Sequence, residues 1–258
     1  MAELVIVTGA SSGIGEAVAR AFADQGYPVG LIARRADKLE GIVASLQSSG
    51  KTAAYATADV TDRAGLEAAV AELEKACGPC GTLIANAGIL LLSTSHRNRP
   101  ERVLQQMRVN FDGVVHSIHA VLPGMLERQR GRICAVSSVA GFRGIGNWAG
   151  YSATKAAVNA LMESYRIELG PEGIVCTTVC PGYVASEMTD GFGGPKPFMI
   201  SADAAGKHVV QAVEKGASQV IFPWQMAGVM SVAKALPNWA WDRIQRQSVR
   251  RYDPSQDG

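Results

Sequence analysis

The chain predicts a doubly wound α/β domain: a parallel sheet of about seven strands with helices on both faces. Three observations predict it. Short aliphatic runs alternate with longer amphipathic stretches through most of the 258 residues. The short runs are apolar almost without interruption, as in strands covered on both faces. No Pro-, Gly- or Ser-rich linker divides the chain before Pro223, so residues 1–222 read as one domain and 223–258 as a helical tail.

The elements follow in order. Leu4–Thr8 reads as a strand and Gly13–Gln25 as a helix stopped by Gly26. Pro28–Ala33 and Thr52–Thr57 read as strands, with helices over Ala36–Ser48 and Asp62–Ala76. Thr82–Asn86 is the next strand, followed by a long helical region, Arg102–Arg128, with a break expected near Asp112-Gly113. Arg132–Ser137 and Ile174–Val179 are strands around the helix Ala149–Leu169, which Gly170-Pro171 stops. Ala202–Lys215 is a helix and Gln219–Phe222 the last strand. Strand-helix alternation of this kind joins parallel strands by crossover helices.

Composition excludes several functions. Hydrophobic residues make up 47% and charged residues 19%, enough for a large core. A net charge of +2, from 25 basic and 23 acidic side chains, gives no field suited to nucleic acid. Five cysteines without framework spacing point to a reducing compartment. Met1-Ala2-Glu3 lacks the basic flank of a targeting segment, and no apolar stretch is long enough to span a bilayer. A cytoplasmic protein is expected, with peripheral membrane contact through the tail as an added option.

The turn Thr8-Gly9-Ala10-Ser11-Ser12-Gly13-Ile14-Gly15 follows the first strand and opens the first helix. Glycines let the backbone approach a pyrophosphate, and the helix N-terminus offers unpaired N–H groups to it. The next strand ends in Ala33-Arg34-Arg35. An acidic residue there would select the ribose 2′-hydroxyl of NAD, whereas guanidinium groups suit the 2′-phosphate of NADP(H), which is therefore favoured. In Tyr151-Ser152-Ala153-Thr154-Lys155, the phenol and the ammonium are four residues apart and share a helix face. The cation is expected to lower the phenol's pKa and make it an acid/base near neutrality.

These motifs, together with Asp59-Val60, Asn86-Ala87-Gly88, Val109-Asn110, Ser137-Ser138 and Pro181-Gly182, occur in the order and at about the spacing of one family. From about residue 3 to 222 the chain resembles the single-domain short-chain dehydrogenases/reductases, with a Rossmann-like sheet. The resemblance implies that Tyr151 is the general acid/base and that Ser138 bonds the substrate oxygen, Ser137 being the neighbouring alternative. It implies that Lys155 holds the nicotinamide ribose and tunes Tyr151, and that Asn110 holds a water of a proton relay. Asp59 and Val60 would meet the adenine. Asn86, Ala87 and Gly88 would line the cofactor groove, and Pro181, Gly182, Val184 and Ser186 would border the nicotinamide. Two departures stand out: Ala85 replaces an Asn common in relatives, and Ser186 replaces a Thr near the cofactor amide, keeping a hydroxyl. A homodimer or homotetramer is implied, often built through the long middle helices.

Other features carry less. Cys77-Gly78-Pro79-Cys80 has redox-motif spacing but follows a helix, where the dipole disfavours a thiolate; Cys134, Cys176 and Cys180 look like small core residues. His116 and His119 lie one helical turn apart without further ligands, so no metal is expected. His96 and His208 read as surface residues, and Arg97, Arg99, Arg102 and Arg108 as a solvated helix edge. Gly182–Ser201, with Phe192, Phe198 and Met199, should cover the substrate, and Phe142, Ile145 and Trp148 should add apolar wall. An apolar small-molecule carbonyl or alcohol is the expected substrate. The tail reads as an apolar helix, a break at Pro237, and an amphipathic helix with Arg243, Arg246, Arg250 and Arg251. It holds Trp224, Trp239 and Trp241, and is expected to cap the pocket, bury itself in a subunit interface, or lie on a membrane surface. The expected activity is hydride transfer between NADP(H) and a carbonyl/alcohol carbon; the alternative is a non-catalytic dinucleotide-binding sensor or scaffold.

Overall fold

The computed structural model describes residues 2–92, 99–190 and 195–249; His96, Arg97, Phe192, Arg250 and Arg251 lie outside them. Seven strands form one sheet: β1 (Leu4–Thr8), β2 (Val29–Ala33), β3 (Ala53–Thr57), β4 (Cys80–Ala85), β5 (Gly131–Val136), β6 (Ile174–Pro181) and β7 (Gln219–Phe222). All pairings are parallel and the order is β3-β2-β1-β4-β5-β6-β7. The strand order therefore reverses between β1 and β4, and the crevice at their carboxyl ends is where such sheets bind ligands.

Ten α-helices lie among the described residues: α1 (Gly13–Asp24), α2 (Ala36–Ser48), α3 (Arg63–Cys77), α4 (Pro100–Met107), α5 (Gly113–Glu127), α6 (Ala149–Leu169), α7 (Glu187–Asp190), α8 (Ala202–Glu214), α9 (Trp224–Ala235) and α10 (Asn238–Val249). Alternate strand residues supply the two cores, as the period of two requires. Val5 and Val7 of β1 pack with Val18, Phe22, Leu39 and Val209 on one face. Leu4 and Ile6 pack with Leu66, Leu73, Ile118 and Val158 on the other. Helix starts are chemically marked: Asp62 accepts from Gly65 N–H at 3.2 Å, and Ser201 accepts from Ala204 N–H at 3.2 Å.

The structure differs from the sequence reading in several places: β6 runs on to Pro181, past the expected end at Val179, and the short helix α7 is not among the expected elements. The break expected at Asp112-Gly113 is a five-residue π turn, Arg108–Asp112, between α4 and α5. Strand β4 starts at Cys80 rather than Thr82, because Gly81 lets it pass close to the first strand's approach: a Cβ there would lie 2.4 Å from that of Glu3. Among the described residues no helix is long and apolar enough to cross a membrane.

Candidate active site

The glycine-rich turn sits at the carboxyl end of β1, with φ of +66° at Gly9 and +58° at Gly13, values that favour glycine. A Cβ on Gly9 would meet Ala87 Cα at 2.7 Å, and one on Gly15 would meet the Gly9 carbonyl oxygen at 2.3 Å. The turn is thus folded onto the segment after β4. Asn86 fastens it by donating from Nδ2 to the carbonyls of Thr8 (3.0 Å) and Gly9 (3.2 Å). Ser12 precedes α1 but makes no side-chain cap, so the first-turn N–H groups of α1 have no such partner.

These residues border a groove of about 530 Å³, within the size range of cofactor sites. Of the predicted cofactor set, it brings together Gly9, Ser11, Ser12, Gly13, Ile14, Arg34, Arg35, Asp59, Val60, Asn86, Ala87, Gly88 and Ser186. Thr8 and Gly15 lie behind it. Thr8 is buried, its hydroxyl accepting from the N–H groups of Asn86 and Ala87, and so supports the turn rather than facing the groove. Arg35 donates from Nε and Nη2 to Ser11 Oγ (3.1 and 3.0 Å), and from Nη2 to Ser12 Oγ (2.8 Å). Its Nη1 pairs with Glu187 at 2.9 Å, and that bond and charge hold the Glu187 carboxyl below the usual range. Arg34 lies 3.6 Å from Asp59. Burial opposes ionisation of Asp59, but the N–H and hydroxyl of Thr61, together with Arg34, hold its pKa below the ordinary value. An unblocked helix N-terminus, turn glycines with no room for side chains and guanidinium groups on the rim fit a phosphorylated dinucleotide.

A second cavity of about 250 Å³ shares Ile14, Asn86, Gly88, Leu90, Ser186 and Met188 with the groove. Ser138, Tyr151, Lys155, Pro181, Gly182 and Val184 line it. Tyr151 and Lys155, on α6, are 8% and 4% exposed, so both point inward. Lys155 Nζ lies 5.6 Å from the Tyr151 ring centroid and donates to the Val136 carbonyl at 2.8 Å. Burial pushes the ammonium down to about 8 and the phenol up to about 12, the latter opposed by a hydrogen bond with Ser138. The expectation that the cation lowers the phenol's pKa is therefore corrected: desolvation outweighs a charge that sits over the ring and is hydrogen-bonded elsewhere. The Ser137 hydroxyl donates to the Lys155 carbonyl at 3.0 Å and anchors β5 to α6, while Ser138 faces the phenol.

Asn110 lies in the π turn and lines neither cavity. Its Oδ1 accepts from Ile89 N–H at 2.7 Å, and its Nδ2 donates to Ile89 O (2.9 Å) and Thr154 Oγ1 (3.2 Å). A Cβ on Gly88 would stand 3.3 Å from Asn110 Oδ1 and 3.7 Å from Lys155 Nζ, so these groups converge behind Gly88.

The sequence reading missed Thr154, whose hydroxyl donates to Tyr151 O at 2.8 Å, and Gln106, fully buried and accepting from Leu91 N–H at 3.0 Å. A polar side chain on the inner face of an amphipathic helix was the available signal. Of the expected apolar wall, Ile145 and Trp148 line the pocket, Phe142 is not among its lining residues, and Phe198 and Met199 are about half exposed; Met188, and Met226, Val229, Met230 and Trp241 of the tail, line it as well.

The remaining features are accounted for locally. Cys80 is buried in β4 with its thiol pushed up to about 12, and burial also raises Cys77. His116 Nδ1 meets Val60 O and His119 Nε2 meets Tyr165 Oη, each at 2.9 Å. Exposed His208 stacks on Phe222, and Arg102 donates to Leu92 O at 3.0 Å.

Comparison with known proteins places this arrangement. Residues 3–194 match the short chain dehydrogenase family, and the chain belongs to it. An uncharacterized oxidoreductase of Myxococcus xanthus is 36% identical over 242 residues, 94% of this chain and 96% of that protein. A 3-oxoacyl-(acyl-carrier-protein) reductase of Staphylococcus aureus is 34% identical over 191 residues, 74% of this chain and 78% of its own. A mutant actinorhodin polyketide ketoreductase crystallised with NADPH superposes with a TM-score of 0.79 at 28% identity, covering 86% of this chain and 95% of that one. The fold is that of these oxidoreductases, and α9 and α10 lie beyond the family match.

Proposed function

We propose that the protein is an NADP(H)-dependent oxidoreductase that interconverts an apolar ketone or aldehyde and its alcohol, with Tyr151 moving the proton. The observation that carries this reading is the convergence of Ser138, Tyr151 and Lys155 on a largely apolar pocket adjoining the glycine-lined groove. The turn residues Gly9 to Ile14 would hold the pyrophosphate, backed by Thr8 and Gly15. Arg34 and Arg35 would hold the 2′-phosphate, Asp59 and Val60 the adenine, and Asn86, Ala87 and Gly88 the groove wall. Lys155 would hold the nicotinamide ribose, with Pro181, Gly182, Val184 and Ser186 beside the ring.

A bound nicotinamide supplies the hydride; the protein supplies orientation and the proton. Negative charge grows on the carbonyl oxygen as its carbon is reduced, and donors preplaced in a dry pocket are worth more than in water. Ser138 and Tyr151 are those donors. A phenol pushed up to about 12 is fully protonated at neutral pH, the state needed to give a proton to the alkoxide oxygen. The nearby ammonium then steadies the phenolate, and its own pKa of about 8 suits passing a replacement proton inward. Asn110, through Ile89 and Thr154, keeps Lys155 and the β4 loop in register; a water held there would complete the relay.

The tail reading favoured is the pocket cap, since α9 and α10 contribute lining residues. Trp224 and Trp239, 79% and 74% exposed and accompanied by Arg243 and Arg246, suit a lipid surface, and exposed Leu104 and Ile167 on α4 and α6 suit a second copy; vesicle sedimentation and light scattering measure both. The deciding experiment follows NADPH absorbance with apolar ketones. Turnover by the wild type, lost in Tyr151→Phe with NADPH binding kept, is expected. NADPH binding without turnover of any ketone would favour the sensor alternative.

A further inference from the structure

We infer that Arg143 is a positioning residue that ties the α9–α10 roof to the loop between Ser138 and Tyr151, and so restricts the pocket to small, free, uncharged carbonyl compounds. The inference rests on the oxidoreductase reading above and adds the substrate class.

Residues 142–148 lead into α6. Ile145 and Trp148 of this loop line the pocket, Trp148 meeting Tyr151 edge-on at 6.0 Å and 88°. Met226, Val229 and Met230 on α9 and Trp241 on α10 also line it. Arg143 joins the two. Its Nη1 donates to the carbonyls of Ala233 and Leu236 (the latter at 2.7 Å), and its Nη2 donates to Asn238 Oδ1 at 3.0 Å. One guanidinium thus serves carbonyls that the end of α9 leaves unpaired and pins the start of α10. Its carbon also lies 5.1 Å from the Trp241 ring centroid, within cation–π range.

Neighbouring contacts repeat the link. Trp241 Nε1 donates to Gly144 O at 2.8 Å, and Gly146 N–H donates to Gln245 Oε1 at 3.2 Å. Lys234 Nζ lies 3.9 Å from the Phe142 ring centroid. A Cβ on Gly146 would come 2.4 Å from Val249 Cγ2, so the loop and α10 are in close contact. A fork that spans three acceptors is not reproduced by the point charge of a lysine.

The size and chemistry of the space follow. The pocket is about 250 Å³ and includes the side where a nicotinamide would lie. A benzene-sized ring occupies a cavity of about 150 Å³, which leaves room for one small carbonyl compound beside the cofactor ring. Among the described residues that line it, Lys155 is the only lysine, arginine, aspartate or glutamate. A phosphate or carboxylate on the substrate would be buried without a dedicated partner, at a cost burial alone does not repay. A ketone carried on a phosphopantetheine thioester would also have to thread its arm beneath the roof.

The test compares cyclohexanone with acetoacetyl-coenzyme A, both with saturating NADPH, in wild type, Arg143→Ala, Arg143→Lys and Trp241→Phe. The wild type should prefer cyclohexanone. Arg143→Ala should raise KM for cyclohexanone by about tenfold with kcat changed less than about threefold, a loss of ground-state and transition-state binding together. The kcat/KM ratio of thioester to cyclohexanone should rise, with Arg143→Lys intermediate. Trp241→Phe keeps the ring but loses the Gly144 bond, so it should shift the ratio the same way by less, and decides the matter if Arg143→Ala does not fold. An unchanged ratio, a parallel fall in kcat for both substrates, or a wild-type preference for the thioester overturns the inference. A wild type that binds NADPH but turns over neither these two ketones nor any of the apolar ketones removes the oxidoreductase reading instead, and this inference with it.

Discussion

Arg35→Ala tests the cofactor assignment most directly, because the structure holds that guanidinium in place before any phosphate arrives. Three bonds to Ser11 and Ser12 fix the fork against the turn, and the side chain is 42% exposed. A hydrogen bond to a charged group contributes about 1.5–3 kcal/mol. Partial exposure places a 2′-phosphate contact near the lower end, about 1.5–2 kcal/mol, or roughly 10- to 30-fold in Kd. NADH lacks that phosphate, so its affinity should move by less than about threefold. Arg34, 70% exposed and 3.6 Å from Asp59, should show the same preference at smaller size when changed to Ala. Glu187 supplies an internal control. Its carboxylate occupies Arg35 Nη1, so it competes with a phosphate, and Glu187→Gln should tighten NADPH severalfold while leaving NADH alone. Calorimetric titration of the four proteins with both cofactors gives all the numbers. Equal losses for NADPH and NADH in Arg35→Ala, or a wild type that binds both alike, would refute the 2′-phosphate reasoning.

Four further outcomes are expected. Lys155 is held down to about 8 by burial, so its charge is lost as pH rises through that value, and kcat/KM for ketone reduction should be level below about 7.5 and fall above 8; a profile level to pH 10 removes Lys155 from the reaction. By linkage, the unfolded chain binds the extra lysine proton between about 8 and 10.5, so this group adds stability as pH rises through that window, while Tyr151, held up to about 12, withdraws it above 10; denaturant titrations across pH check the signs. Gly15→Ala would place a methyl 2.3 Å from the Gly9 carbonyl and 2.6 Å from Asn86 Nδ2; overpacking of about 1–3 kcal/mol should lower Tm by roughly 2–12 °C and weaken NADPH binding, and an unchanged Tm contradicts the packing argument. Joint replacement of Cys77 and Cys80 by Ser and Ala should leave turnover within about twofold, with or without dithiothreitol, since raised thiol pKa values disfavour the reactive thiolate.

The strands were legible because each is a short apolar run bounded by turn residues, and the phosphate turn because its glycines carry a local, φ-dependent meaning. Tyr151 and Lys155 were legible as a pair because helical spacing alone puts them on one face. What escaped depends on distance along the chain. Nothing near Arg143 announces that it meets Ala233 and Leu236, some ninety residues later. The direction of the phenol's shift was misjudged because proximity of a cation is local, whereas desolvation is set by β5, β6 and the tail together. The π turn shows in the sequence only as a break: Asp112-Gly113 signals weak helix, but nothing local announces the buried Asn110 within the turn, which bonds to Ile89 some twenty residues earlier.

That widened coil also sets a phase. A π turn holds roughly one residue more than an α turn, and each α residue advances the azimuth by about 100°. Excising a single residue between Arg108 and Asp112 would therefore rotate everything downstream, swinging Val114, Ile118 and Val121 off the sheet they now cover or else carrying Asn110 away from Ile89. Length in this stretch works like the tooth count of a gear, in which one tooth too few leaves the catalytic end and the structural end unable to mesh at the same time.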